Sequence, residues 1–271
     1  MMLFVAVVAG VLIGLSLGAL GGGGSIIAVP VLVYLLGQTP VAATTGSLLI
    51  VGISSLTGAY AAWRQQNVYV ARGLVFGLVG VAGAALGATW SVAVDPDVLL
   101  AAFAGLMLVV AGVMLAKQLR GRSDPDRPVA HVDDPIITVS PTFACNCPRA
   151  LKVVVTALVV GVTTGFFGVG GGFLVVPALV LALSLPMPIA VGTSLLVISV
   201  NSAAAFVVRI SHGVAVDWLV VGALTVAAVA GSLLGARLAS RVQPRALSLA
   251  FSILLLVVAG YTAWQSLPAL I

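Results

Sequence analysis

Residues 18–30 read Gly-Ala-Leu-Gly-Gly-Gly-Gly-Ser-Ile-Ile-Ala-Val-Pro, and residues 165–177 read Gly-Phe-Phe-Gly-Val-Gly-Gly-Gly-Phe-Leu-Val-Val-Pro. Each stretch lies inside a long apolar run. Met2 to Leu36 as one helix would measure about 50 Å at 1.5 Å per residue. A bilayer's hydrocarbon core is about 30 Å thick, so the run must break. Glycine costs about 1 kcal/mol in a helix interior and tolerates turns. The breaks are therefore predicted at Gly21 to Gly24 and at Gly168 to Gly172.

The chain around these breaks has 271 residues, of which 61% are apolar and 7% charged. Its mean hydropathy is +1.26. A soluble domain carries about 25% charged residues. Ten of the 19 charged side chains fall between Lys117 and Lys152, and none of the 19 is Glu. The remaining nine cannot cover a soluble fold, and the hydrophobicity excludes disorder. The apolar runs are about 20 residues long without the alternation of barrel strands, so the expected class is an all-α polytopic membrane protein. Met1 to Leu20 lacks the leading positive charge and cleavage signal of a secretory leader, and reads as a retained helix.

Charges and prolines punctuate the helices. Apolar spans run over Val41–Trp63, Gly73–Val94 and Val98–Ala116 in the first half, and over Ala150–Phe167, Ile189–Val208, Trp218–Ala236 and Ala246–Trp264 in the second. Residues 117–149, rich in Pro and charge, cannot span lipid. The division is thus 1–116, a first transmembrane repeat; 117–149, a cytoplasmic polar linker; and 150–271, a second transmembrane repeat. Each repeat has about four hydrophobic segments, the first broken by glycines. A shift of 147 places Gly18, Gly21, Gly23, Gly24, Val29 and Pro30 on Gly165, Gly168, Gly170, Gly171, Val176 and Pro177 without gaps, and Ala43, Ser47, Leu48 and Leu49 on Ala190, Ser194, Leu195 and Leu196. Val81–Ala88 matches Val229–Ala236 at a shift of 148. Gly22 against Val169 is a departure, so the two breaks are not identical. Internal duplication of this kind is common in transporters that bind substrate between repeats.

A break at membrane depth must lie inside protein or face a polar cavity. Its free N–H groups and the following helix dipole favour an anion. The candidate substrate-binding residues are Gly22, Gly23, Gly24, Ser25, Thr44, Thr45 and Ser47 in the first half, with Gly170, Gly171, Gly172, Thr193, Ser194 and Asn201 in the second. Any one hydroxyl could merely bond its own helix; as a set, most occur at equivalent positions. Gly83, Gly87, Gly231 and Gly235 read instead as helix-packing residues. No Asp, Lys, Arg or His falls in the middle of an apolar span, which argues against a cation pump and a carboxylate proton relay. Arg64 and Arg209 end equivalent spans and read first as topology anchors.

The break motifs, with Ala43–Leu49 and Ala190–Leu196, resemble the TauE/SafE sulfite exporter family over nearly the whole chain. The resemblance implies a plasma (inner) membrane permease for sulfite, sulfonates or related organic anions, generally outward and coupled to a proton or sodium gradient. The expected partners are a small anion and the lipid bilayer. A passive anion channel would share these features. An intramembrane enzyme would need a nucleophile or metal cluster in the bilayer, and His131 and His212 both lie in loops. Cys145 and Cys147, with only His131 nearby, are too few for a usual soft-metal site; no metal or cofactor is expected. The net charge of +5 is accounted for by cytoplasmic loops facing anionic lipid, not by nucleic acid.

Positive loops stay inside. With the linker inside, Arg64 and Arg72 also fall inside, and Asp95 and Asp97 outside. If both broken segments cross, the repeats are parallel and Arg237, Arg241 and Arg245 lie outside. If each turns back as a re-entrant hairpin, the repeats are inverted and these arginines lie inside; only Arg209 and His212 are then misplaced. The charge count favours the inverted arrangement. A single cysteine at Arg241→Cys is expected to react with an impermeant maleimide only from the cytoplasmic face; labelling only from outside would refute it.

Overall fold

Uninterrupted apolar runs form long helices, and each glycine-rich stretch separates two of them. The computed structural model describes residues 2–91, 96–120, 137–138, 144–145, 147–167, 172–210 and 217–270. Helix α1 spans Met2–Leu20, α2 Gly23–Pro30, α3 Pro40–Arg64, α4 Val70–Ser91 and α5 Pro96–Arg120. The second half has α6 at Cys147–Phe167, α7 at Gly172–Leu181, α8 at Met187–Ile210, α9 at Trp218–Ala239 and α10 at Pro244–Leu270. Among the described residues, five helices are long and apolar enough to cross a membrane. Most of the expected linker lies outside the described residues, as do His131, His212 and the side chains of Cys145, Cys147 and Arg209. Helix α5 continues to Arg120 and α6 begins at Cys147, both inside the stretch read as linker. Pro148 does not prevent the early start, since a first-turn N–H has no intrahelical partner to lose.

Local chemistry sets several ends. Thr39 caps α3, its Oγ1 accepting from Ala42 N–H at 3.4 Å, with Pro40 following. Asp217 caps α9, accepting from Leu219 and Val220 N–H at 3.1 and 3.3 Å. Such caps satisfy donors that the helix leaves free. Downstream of Pro30 the chain widens into a π-turn, Val31–Leu35, and Leu36 N–H reaches back to Val31 O at 3.2 Å. Proline cannot donate to the ladder, so the widening follows a position already missing a bond. Pro177 sits inside α7; the halves differ here.

Small residues let the helices approach closely. Gly14 and Gly18 of α1 face Ala228 and Ser232 of α9; Gly83 and Gly87 of α4 face Leu158 and Val162 of α6. At each glycine an added Cβ would meet a backbone carbonyl. This bears out the packing role read for Gly83, Gly87, Gly231 and Gly235, and extends it to Gly18 and Gly165. The first helix of each half thus packs on the fourth helix of the other. Both pairs are parallel: Gly10 lies at Leu224 and Gly18 at Ser232, while Gly80 lies near Ala157 and Gly87 near Val162. Helices α3 and α8 are antiparallel, with Gly52 facing Ser202, Gly58 facing Leu195 and Ala62 facing Gly192. Helix α4 runs with α8, since Gly73 meets Leu196 and Gly77 meets Val200.

Hydroxyls are buried in the interior while large apolar side chains face outward. Thr45, Ser54, Ser55, Thr193, Ser194, Ser232 and Ser252 are 0% exposed, whereas Leu78, Leu219, Val226 and Val257 are each over 60% exposed. An exterior of this kind needs an apolar solvent. Most buried hydroxyls bond a carbonyl of their own helix, as Thr225 does to Val221 O at 2.7 Å. Ser232 instead donates across to Ser54 O at 2.7 Å, tying α9 to α3.

Replacing Gly14 or Gly87 with Leu is expected to cost roughly 1–3 kcal/mol or more, the usual penalty of overpacking. Gly105 and Gly112 have nothing within 4 Å of an added Cβ. Leu at either should be neutral. Thermal melting of the four variants in detergent checks the contrast.

Candidate functional site where the two breaks meet

The first break begins as a helix C-terminus. Gly21 N–H donates to Leu17 O at 2.7 Å, and Gly21 has φ +76°, in the left-handed region that suits glycine after a helix. Gly22 then opens α2 with no side-chain cap. Gly24 lies against the Ile13 carbonyl and Leu17, which folds α2 back along α1. Gly23 meets Leu254 of α10. Residues 21–26 are all buried.

The second half comes to the same place. A Cβ on Gly22 would overlap the Gly172 carbonyl and stand 2.9 Å from Phe173 Cα. One on Gly172 would stand 2.9 Å from Ser25 Oγ and from Ile198 Cδ1. The first turns of α2 and α7 therefore adjoin. Ser25 Oγ donates to Gly22 O at 2.7 Å. Ser194 Oγ sits within reach of Val191 O at 2.7 Å and Gly21 O at 3.2 Å. Its counterpart Ser47 donates to Thr44 O at 2.9 Å. The counterpart of Gly21 is Gly168, which lies outside the described residues, as do Gly170 and Gly171.

Of the sequence-predicted residues, Gly22, Ser25, Gly172 and Ser194 gather at this junction, with Gly23 and Gly24 holding its turn. Thr45 and Ser47 are buried and Thr44 half-buried, on the first turns of α3. Thr193 and Asn201 face α4 instead. Thr193 Oγ1 accepts from Tyr69 N–H at 3.2 Å. Asn201 lies 3.6–3.8 Å from where a Gly80 Cβ would be, and its Oδ1 is buried without a partner. Arg64 is exposed at the end of α3. Sequence reading missed Tyr69, Val191 and Ser232. The mismatch of Thr193 with Gly46 at equivalent positions was the available signal for the first of these.

A cavity of about 330 Å³ lies between α1 and the returning segment, walled by Val8, Leu12, Ile27, Val31 and Leu35 among others. Its lining is apolar and offers an anion nothing. At the junction the first turns of α2 and α7 converge with the hydroxyls of Ser25 and Ser194, and among the described residues no charged side chain is buried. Each helix start carries about half a positive charge. Charge-assisted N–H bonds are about twice as strong as neutral ones.

Gly21→Ala is expected to lower stability by about 1–2 kcal/mol, the cost of the left-handed region for a residue with a Cβ. Ser194→Ala, losing a cross-helix hydrogen bond, should cost about 1 kcal/mol. Melting temperatures in detergent measure both.

No solved structure matches the chain. Its sequence is 34% identical over 272 residues to a "Probable membrane transporter protein" of Xylella fastidiosa (strain Temecula1 / ATCC 700964), covering 99% of this chain and 98% of the relative. It is 29% identical over 262 residues to "Probable membrane transporter protein YunE" of Bacillus subtilis (strain 168), covering 94% of each. Residues 6–262 match the family model described as "Sulfite exporter TauE/SafE". With its buried hydroxyls, apolar rim and glycine-broken helices, the chain belongs to the sulfite exporter TauE/SafE family and is a multi-pass membrane transporter.

Proposed function

We propose that the protein exports small sulfur-containing or organic anions, sulfite and sulfonates foremost, by alternating access, with the anion held between the two breaks. The observation that carries this reading is the contact of Gly22 with Gly172 and Phe173. It brings the positive ends of α2 and α7 together at one point. Amides of Gly22 to Ser25 and of Gly172 serve as donors, with Ser194 beside them; Gly170, Gly171, Thr44, Thr45 and Ser47 are the further candidates from the sequence. A site of backbone donors holds an anion without trapping it as a fixed cation would, and weak binding suits a site that must also release.

The helix directions support an inverted pair of repeats. Helices α3 and α8 are counterparts under the 147-residue shift, and they run antiparallel. Helices α1 and α9 run together, as do α4 and α6, so each half lends its first helix to the other. Two halves of opposite direction around a central site can rock to open it first on one face and then on the other. In this arrangement the linker, Arg64, Arg72, Arg237, Arg241 and Arg245 share the cytoplasmic side. Outward transport is driven by a proton or sodium gradient.

Gly170→Val or Gly171→Val is expected to abolish sulfite efflux from proteoliposomes while leaving insertion intact. Gly22→Val, whose side chain would overlap the Gly172 carbonyl, should do the same. Normal efflux in these variants would remove the reading. Wild-type flux is expected to saturate with sulfite and to follow an imposed proton or sodium gradient; linear flux indifferent to both would instead mark a channel.

A further inference from the structure

The connection between α3 and α4, residues 65–69, lies across the first turns of α8. A Cβ on Gly192 would run into the Asn67 carbonyl and stand 3.0 Å from Val68 Cγ2. Gln66 turns the chain with φ +61°. Tyr69 N–H donates to Thr193 Oγ1 at 3.2 Å, and the Thr193 methyl carbon would be 3.2 Å from a Cβ on Gly73. The Arg72 guanidinium stands 4.7 Å above the Tyr69 ring.

Beneath this connection is a narrow cleft lined by Gly18, Gln65, Asn67, Val191, Gly192 and Ser240, among others. Val191, part of its lining, borders the first break, since a Cβ on Gly21 would stand 3.0 Å from Val191 Cα. The cleft thus lies between the end of helix α3 that bears Arg64 and the residues that border the first break. Residues 65–69 lie over it, held to α8 through the Thr193 hydroxyl. Under the 147-residue shift Thr193 falls on Gly46, which has no hydroxyl to offer. The first half cannot make the same bond at the other face.

We infer that Thr193 is a positioning residue for transport: its hydroxyl latches the α3–α4 connection over the cytoplasmic cleft, and opening toward the cytoplasm requires that bond to break. At the matching position of the other half, Gly46 offers no hydroxyl for the same bond. The inference rests on alternating access and adds to it which gate is held, and by what.

The test uses the full chain with Cys145→Ser and Cys147→Ser, reconstituted in vesicles of known orientation, with Val191→Cys as reporter. Val191 is 3% exposed, so an impermeant maleimide on the cytoplasmic side should label it slowly. Adding Thr193→Val keeps the shape and removes the acceptor. Labelling should then rise about fivefold, the population change expected from losing one hydrogen bond. Thr193→Ser keeps the acceptor and should label at the original rate. A reporter at Leu36→Cys, by the opposite end of the hairpin, should label more slowly from outside in the Thr193→Val background. An unchanged Val191→Cys rate with Thr193→Val overturns the latch. So does an equal rise with Thr193→Ser, which would assign the effect to packing, or a rise at both reporters, which would mark general loosening. Alternating access fails on a separate signature, linear wild-type sulfite flux independent of gradients.

Discussion

Gly22 lies so close to the Gly172 carbonyl that no side chain fits between them. This one approach constrains much of the rest of the structure. It requires both apolar runs to stop at the same depth, each to turn back on itself, and the two halves to face each other there. Gly21 supplies the turn, Gly24 lets α2 fold along α1, and Leu254 closes against Gly23. The parallel pairs α1–α9 and α4–α6 then act as struts. Their glycines let backbone rest on backbone, the close packing available to helices whose surroundings are as apolar as their side chains.

The same constraint decides the chemistry. A buried charged side chain at this depth would be costly without a partner, and none occupies the middle of a span. Helix starts avoid that cost, because their partial charge belongs to a backbone that must be there in any case. Hydroxyls at Ser25 and Ser194 bond to carbonyls around the break, which keeps those carbonyls from facing an anion unscreened. A site of the proposed kind is defined by orientation of amides more than by the identity of side chains.

Much of the helical architecture was legible in the sequence, because two signals are one-dimensional. Apolar length marks the helices, and α1 and α9 begin where charge and hydropathy place them. Glycine runs mark the breaks. Less legible was what depends on neighbours distant in sequence. Asn201 falls on Ser54 and Thr193 on Gly46 under the 147-residue shift, and both side chains turn toward Tyr69 and α4. The π-turn after Pro30 has no counterpart around Pro177, and nothing in either Pro motif announces the difference. Helix ends at Arg120 and Cys147 extend past the apolar spans, since a helix can continue into water once its buried part is fixed. The contact of the two breaks was foreseeable only as a consequence of the duplication, through the equivalence of Gly18–Pro30 and Gly165–Pro177.

The central claim is that backbone amides at the meeting of the two breaks hold the anion. Selenite, a heavier analogue of sulfite, makes this directly visible by anomalous diffraction from crystals of the protein. The account predicts a selenium peak within hydrogen-bond reach of the amides of Gly22 to Ser25 and of Gly172, beside Ser194. A peak on Arg64 or Arg241, with the junction empty at saturating selenite, would contradict it.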